Sequence, residues 1–368
     1  MKDLIVDANF PRTLDQRVYH LGLRAGEVAN RIITVGSPSR AESIAAFLDA
    51  TPKLFRLTSE RGFLTITGRY KGVPLSICSI GMGYPNMDFF VREVRECLSG
   101  DMLVVRLGSC GCLLDHPVGT VVVPKACVAV SRNYDYDFGT GQSTEPPYRI
   151  SKPVGADPEL AAAVKDGFNG QDAQAKVLTD VINASADSWP SFYSSQGRQT
   201  SFPDHNQDLI PTLLASVPGL ATLEMETHHL YHLAASYRTA PAADVPSLSP
   251  DPPITTTPPH LQLAAASHAP SVQPLSPSPQ ERTHAPPHPP PPPLQPAPRI
   301  RAAAAQIIFA SRTPAQAQGF ITPEMVTRLE KWTGEALLRV LAGFHVDEDR
   351  LHPTEGSVWE VAPAPSPK

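Results

Sequence analysis

The spacing of apolar positions along this chain alternates between the short runs of strands and the three-to-four-residue period of helices. Ile32-Ile33-Thr34-Val35 is a continuous apolar run, stopped by Gly36-Ser37-Pro38 and followed by helical spacing from Ala41 to Leu48. Phe63 to Tyr70 and Val73 to Ile80 alternate as strands do, and Lys71-Gly72 between them supplies a hairpin turn. Gly81-Met82-Gly83 leads into helical spacing from about Met87 to Leu98. Leu103-Val104-Val105-Arg106-Leu107 is a second buried-strand run, leading into Gly108-Ser109-Cys110-Gly111. Beyond it, Val121 to Val130 reads as one long strand, 158–168 as a helix and Ala175 to Ala184 as a strand. Glu226 to Tyr237 reads as a helix, 302–310 as a strand of small residues and 323–342 as a helix. Strand–turn–helix alternation, with glycines directly after strands, predicts an α/β fold. Ligands of such sheets sit at the carboxyl ends of strands, where the polar residues of this chain gather.

One stretch has no period at all. Residues 241–298 hold 20 of the 41 prolines, no Phe, Trp or Tyr, and only Asp244, Asp251, Glu281 and Arg282 as charged side chains. Such a segment buries too little apolar surface to offset its ordering entropy, so disorder with polyproline II stretches is expected. Without it about 310 residues remain, enough for one large core. The expected organisation is one domain in two parts, 1–239 and 300–345, around a Pro-rich insertion at 240–299, with a flexible tail at 346–368. The insertion is either a regulatory or interaction loop for proline-binding modules, or non-coding sequence translated in a faulty gene model. Loop-closure entropy grows slowly with length, so neither origin prevents folding.

Composition narrows the partners. A net charge of −5 and a pI near 6.2 give no electrostatic footprint for nucleic acid or an anionic membrane. The start, Met1 to Asp7, has no apolar signal region, and no apolar run approaches the roughly 18 residues of a membrane span. The cysteines are 78, 97, 110, 112 and 127, an odd number without a CxxC pair, which fits a reduced, cytoplasmic setting. Cys110-Gly111-Cys112 reads as small residues in a tight turn, with a redox or metal element as the alternative.

Two short polar motifs carry the chemistry. Gln196-Gly197-Arg198 closes the loop that begins at Phe192, and Glu224-Met225-Glu226 closes the apolar run Leu220 to Leu223. An amide beside a guanidinium offers an acceptor and several donors, enough to read a ring edge with carbonyl and N–H groups. A carboxylate at a strand end accepts hydrogen bonds from both hydroxyls of a vicinal diol. Together they suggest a nucleoside site; the alternative is loop surface and a solvated strand end. Gly36-Ser37-Pro38-Ser39-Arg40 opens a helix after a strand and suits a phosphate or an ordinary helix start, without P-loop spacing. Arg106 in an apolar strand needs an anion, either a ligand or a structural carboxylate such as Glu93 or Glu96. His228 and His232 have the i, i+4 spacing of a metal pair but no third ligand and no HExxH pattern. Asp204-His205 resembles an acid/base pair without an activated nucleophile beside it.

Five segments in order resemble the uridine phosphorylases of the nucleoside phosphorylase superfamily: Val18-Tyr19-His20-Leu21-Gly22-Leu23, Gly36 to Arg40, Arg106-Leu107-Gly108-Ser109, Phe192 to Arg198, and Glu224-Met225-Glu226. The resemblance covers roughly 17–237 and 300–342. It implies a single domain with a central twisted mixed β-sheet flanked by helices, and a pentosyltransferase that cleaves uridine with phosphate to uracil and ribose 1-phosphate. It further implies that Gly36, Arg40, Arg106 and Ser109 bind phosphate, with Arg61 reaching in from a neighbouring subunit. Glu226 and Met225 would hold the ribose hydroxyls with Glu224 nearby, and the neighbour's His20 would meet the 5′ hydroxyl. Uracil would pack on Phe192 and be read by Gln196 and Arg198, supported by Arg312; the catalytic set is Arg106, Gln196 and Arg198. Purine-specific relatives place an Asp near the position of Arg312. No cofactor or metal is implied, phosphate being a co-substrate. The implied assembly is a homodimer unit, or a hexamer of such units. Departures are Ser109 for the commoner Thr, Cys110 for a second Thr, and Gly62 where some bacterial relatives carry a potassium-binding Glu, with Met82 and Asn86 at the other ligand positions. A monovalent cation site is therefore not expected. The alternatives are a related phosphorylase or hydrolytic nucleosidase with another base preference, or an inactive binding or scaffold protein organised by the Pro-rich segment.

Overall fold

The structure, a computed structural model, describes residues 4–169, 176–186, 191–239, 297–313 and 319–361. In chain order the elements are strands β1 (Ile5–Val6), β2 (Arg12–Thr13) and β3 (Arg31–Val35), helix α1 (Pro38–Ala45), β4 (Phe55–Thr58), β5 (Leu64–Tyr70), β6 (Val73–Ser79), α2 (Tyr84–Glu96), β7 (Met102–Cys112), β8 (Val121–Val123) and β9 (Ala126–Arg132). There follow β10 (Tyr148–Ile150), β11 (Val154–Gly155), α3 (Pro158–Phe168), β12 (Val177–Thr179), β13 (Ile182–Ala186), α4 (Ser191–Ser194), α5 (Leu209–Ser216), β14 (Leu220–Glu224), α6 (Thr227–Thr239), β15 (Ile300–Ser311) and α7 (Pro323–Gly343).

Among the described residues 13 strands form one mixed sheet, with a main path β10-β9-β13-β14-β7-β3-β6-β5-β4. β7 is its hub. It runs parallel to β3 on one side and to β15 on the other, from Ile300 opposite Met102 to Ser311 opposite Cys112. The end of β7 also takes β14 antiparallel, at Gly111–Leu223 and Cys112–Thr222, so the sheet forks there. Both faces are covered, which is why these strands read as unbroken apolar runs. Val105, Leu107, Ala303, Ala305 and Ile307 face α1, α3 and α7. Val104, Ala302 and Ala304 face α2 and α6.

Local chemistry fixes the element ends. Ser37 caps α1, its hydroxyl accepting from the Arg40 N–H at 3.4 Å, and Pro38 starts the helix ahead of the apolar spacing. Lys71 and Gly72, with φ of 51° and 82°, make the expected β5–β6 hairpin turn.

Three expectations about the strands are corrected. The long strand Val121 to Val130 is two strands, because Pro124 has no N–H for the ladder; β8 turns to β12 and β15, whereas β9 pairs with β13. The strand from Ala175 to Ala184 likewise splits into β12 and β13 at Asp180, which has φ 62°; Ala175 lies outside the described residues. Cys110-Gly111-Cys112 is not a tight turn but the end of β7, and Gly111 leaves room for the Arg312 side chain, whose Cγ lies 3.4 Å from where a Cβ would stand.

Residues 346–361, expected as a tail, pack against the body. Trp359 is 1% exposed, the His352 N–H donates to Asn30 at 2.7 Å, and Arg350 pairs with the buried Asp101. The remainder of that tail, 362–368, and nearly all of the Pro-rich insertion lie outside the described residues. All five cysteines are buried free thiols, and burial pushes those of Cys78 and Cys97 up to about 12. No helix among the described residues is long and apolar enough to cross a membrane.

Candidate active site

Parallel β3, β7 and β15 end on one side of the sheet, and their ends meet the β14–α6 turn and the loop after α4. Between them lies a cavity of about 370 Å³. It is lined by Gly36, Ser37, Arg40, Met82, Arg106, Ser109, Cys110, Gly111, Phe192, Gln196, Arg198, Leu223, Glu224, Met225, Glu226, Phe309, Ala310 and Phe320. That volume lies within the range of small-molecule sites.

One end is cationic. Arg106 is 3% exposed; its Nη2 meets Glu226 Oε2 at 3.2 Å, while Nε and Nη1 are buried without partners among the described residues. The carboxylates proposed as its structural partners are engaged elsewhere: Glu93 binds His20 and Glu96 binds Arg12. Arg40, also buried, donates from Nε to Glu330 at 2.7 Å and from Nη1 to the Leu107 carbonyl at 3.3 Å. Burial lowers the Arg40 pKa, and Glu330 opposes that effect. Buried donors left without partners are costly, so Arg106 is poised for an anion.

The two carboxylates of Glu224-Met225-Glu226 differ in their surroundings. Glu224 Oε1 accepts from Asn183 Nδ2 at 2.7 Å and from the Ser185 hydroxyl. Its Oε2 accepts from the backbone N–H groups of Glu226 and Thr227 and from the Thr227 hydroxyl, at 2.8 to 2.9 Å. Oε1 thus ties Glu224 to β13 and Oε2 ties it to the start of α6, so Glu224, which also lines the cavity, braces the turn that carries Met225 and Glu226. Glu226 accepts from the Gly83 N–H at 2.7 Å and turns to Arg106. Burial raises the Glu226 pKa, Arg106 pulls it down, and Glu224 adds to the rise. Gly83, with φ 87°, is where α2 begins, and that left-handed turn aims its N–H at Glu226.

The other end reads shape and hydrogen-bond pattern. The Arg198 guanidinium lies 4.2 Å from the centre of the Phe192 ring, with its Nε buried and without a partner. Gln196 donates to the Glu224 carbonyl at 3.3 Å and accepts from Arg198 at 3.5 Å. Arg312 does not line the cavity; it donates to the Gln196 carbonyl at 3.0 Å, behind the loop. Asn206 ties the loop further, donating to the carbonyls of Ser194 at 2.8 Å and Arg198 at 3.1 Å.

Other candidates fall away from the cavity. His20 stacks on Phe89 and binds Glu93 at 2.6 Å, and Arg61 meets the Tyr19 hydroxyl at 2.7 Å. Asp204 pairs with Arg132, and His205 turns to the Phe138 carbonyl, so they form no acid/base unit. His228 meets Ser151 at 3.3 Å, and among the described residues no group of three His, Cys, Asp or Glu side chains is arranged to hold a metal. Asn86 donates to the Met82 carbonyl at 3.2 Å.

The model of the phosphorylase superfamily matches residues 30–249, more than half of the chain. The chain belongs to the phosphorylase superfamily. A solved structure from work on two uridine phosphorylases of the oomycete Phytophthora capsici is 32% identical with a TM-score of 0.71, covering 93% of this chain and 100% of that one. The uridine phosphorylase of Thermococcus kodakarensis is 29% identical over 241 residues, 64% of this chain and 79% of that protein. A DeoD-type purine nucleoside phosphorylase of Oceanobacillus iheyensis is 28% identical over 59% of this chain and 81% of its own. A Trypanosoma brucei nucleoside phosphorylase, at 18% identity and a TM-score of 0.61, shares the fold.

Within this phosphorylase several supporting residues escape sequence reasoning. Glu330, behind Arg40, sits on a helix, where a Glu ordinarily faces water and so carries no signal of its own. Asn183, Thr222, Gln306 and Thr227 form a buried ring of hydrogen bonds that returns to Glu224. The one available signal was polar residues inside apolar strands, the same signal that exposed Arg106. Phe309 and Phe320, which line the cavity after the insertion, carried no signal beyond apolarity.

Proposed function

We propose that the chain catalyses the phosphate-dependent, reversible cleavage of uridine to uracil and ribose 1-phosphate. The observation that carries this is one cavity joining three chemistries in sequence. Arg198 donates to Gln196, Gln196 donates to the Glu224 carbonyl, and Glu226 pairs with Arg106. The kinship with the uridine phosphorylases of P. capsici and T. kodakarensis supports the substrate. Phosphate would lie against Arg40, Arg106, Ser109 and the Gly36 turn, the ribose diol on Glu226 and the Met225 backbone, and uracil on Phe192 beside Gln196 and Arg198.

The mechanism follows from charge. As the glycosidic bond to C1′ breaks, ribose gains positive character and the departing uracil negative. A phosphate oxygen held by the arginines bonds to C1′ and stabilises the cation. Glu226, paired with Arg106, holds the diol from the other side, while Arg198 and Gln196 stabilise the uracil anion. Positioning and preorganised donors supply the rate, with no covalent intermediate. His20 and Arg61 lie outside the cavity of their own chain, which supports a homodimer in which the neighbour supplies them. A purine preference is the second reading, favoured by the 28% identity to the Oceanobacillus enzyme.

The test is release of base from uridine and from inosine, each with and without phosphate. Uracil release that requires phosphate is expected; release without phosphate would mark a nucleosidase, and inosine preference the second reading. Arg198→Ala is expected to lower kcat/KM for uridine by about 100-fold or more, the usual scale for losing a transition-state donor. Wild-type turnover in that variant would remove Arg198 from base reading.

A further inference from the structure

The two buried guanidiniums at the cationic end are held differently. Arg106 pairs with a carboxylate that itself lines the cavity and leaves Nε and Nη1 without partners. Arg40 is gripped from behind. Its Nε donates to Glu330 Oε1 at 2.7 Å, its Nη1 to the Leu107 carbonyl at 3.3 Å, and its guanidinium lies 5.8 Å from the centre of the Phe309 ring. The Arg40 side chain is buried at 8% exposure and that of Glu330 is largely buried at 15%. Glu330 does not line the cavity, so it reaches a ligand there only through Arg40.

We infer that Glu330 is a positioning residue that fixes Arg40 and thereby sets how tightly the site holds its anion. The inference rests on the phosphorolytic reading above. An arginine side chain has much rotamer freedom, and its planar fork recognises an oxyanion well only when its direction is fixed. Anchoring Nε from α7 and Nη1 from β7 fixes that direction and leaves the outer edge of the fork for the ligand. The carboxylate also supplies the counter-charge without which a buried guanidinium is strongly disfavoured. Glu330 stands far from Arg40 in sequence, beyond the Pro-rich segment, so the phosphate end of the site is assembled from both parts of the chain.

The test is a double-mutant cycle on the full chain, read as kcat/KM for inorganic phosphate at saturating uridine and supported by calorimetric titration of phosphate. Glu330→Ala is expected to weaken phosphate about tenfold and to leave KM for uridine within about twofold of wild type. Glu330→Gln, which keeps an acceptor at the same reach but loses the counter-charge, should fall between wild type and Glu330→Ala for phosphate. In an Arg40→Ala background Glu330→Ala should add less than about twofold, because its effect passes through Arg40. A wild-type phosphate response in Glu330→Ala, an undiminished effect in the Arg40→Ala background, or an equal rise in KM for uridine would each overturn the inference. If Glu330→Ala does not fold, Glu330→Asp carries the test. The shorter side chain should weaken phosphate several-fold, and a wild-type value overturns the inference. A wild-type protein that neither binds phosphate nor needs it would overturn the phosphorolytic reading itself; one that does both, with Glu330 variants unchanged, overturns the positioning role alone.

Discussion

Glu224 and Glu226 stand two residues apart, yet their neighbours assign them different work. Five donors saturate Glu224, and the ring through Asn183, Thr222, Gln306 and Thr227 holds it rigid. Among the described residues Glu226 has only the Gly83 N–H and Arg106, and so keeps capacity for a ligand. The residues alone singled out both carboxylates, and only the resemblance ranked them, with Glu226 on the hydroxyls and Glu224 nearby; the physical reason for the ranking lies in residues from four strands. Arg106 and Gln196 were legible for a simple reason: polar groups at apolar positions need a partner. Glu330 was not, since a Glu on an amphipathic helix normally faces water. A neighbouring residue gives a pH prediction. Burial, with His232 and His229 adding to it, lowers the His228 pKa to about 4, so the folded protein holds this imidazole neutral. The unfolded chain takes up that proton below about 6.5, so the stability His228 contributes is intact above that pH and lost as pH falls toward 4. Between pH 7 and 4.5 the wild-type Tm should drop further than that of His228→Phe, by roughly 2–4 °C. Parallel Tm curves for the two proteins would assign the acid sensitivity to other groups.

At the scale of the element, the loop after α4 shows how a short segment can present two readers at once. Gly197 adopts φ 63°, and a Cβ there would stand 2.9 Å from Ile210 Cγ1. Its neighbours Gln196 and Arg198 both line the cavity because the backbone reverses between them. Gly197→Ala combines left-handed strain with a clash, so it should move the loop and raise KM for uridine by about tenfold or more while leaving KM for phosphate near wild type. Unchanged uridine kinetics would show that the loop tolerates the side chain. Long periodic elements such as α7 and the β5–β6 hairpin were legible in the sequence. The breaks at Pro124 and Asp180 were not, because apolar residues on both sides continue one pattern while pairing with different partners. Helix starts were displaced for a related reason: Ser37-Pro38 and Gly83 set them by backbone chemistry, ahead of the first apolar turn.

For the whole molecule, the α/β class followed from the alternation of periods, but not the forked hub at β7 or the packed segment around Trp359. Both depend on contacts remote in sequence, such as Asp101 with Arg350. The position of β15 carries a consequence for how this protein is made. β7 emerges early in synthesis, yet its partner from Ile300 onward is specified about 190 residues later, a wait of roughly 20 seconds for a ribosome adding about 10 residues per second. Until then β7 presents a long apolar edge, the kind of surface that draws chains into aggregates. Residues 1–239 expressed alone should therefore be insoluble, whereas co-expression with a second polypeptide, 298–368, should restore soluble protein and phosphorolysis. A soluble, monodisperse 1–239 fragment would show that β7 is protected by other means. The chain then amounts to two pieces that complete one another, separated by an interval in which the first depends on chaperones or on its own slowness to aggregate.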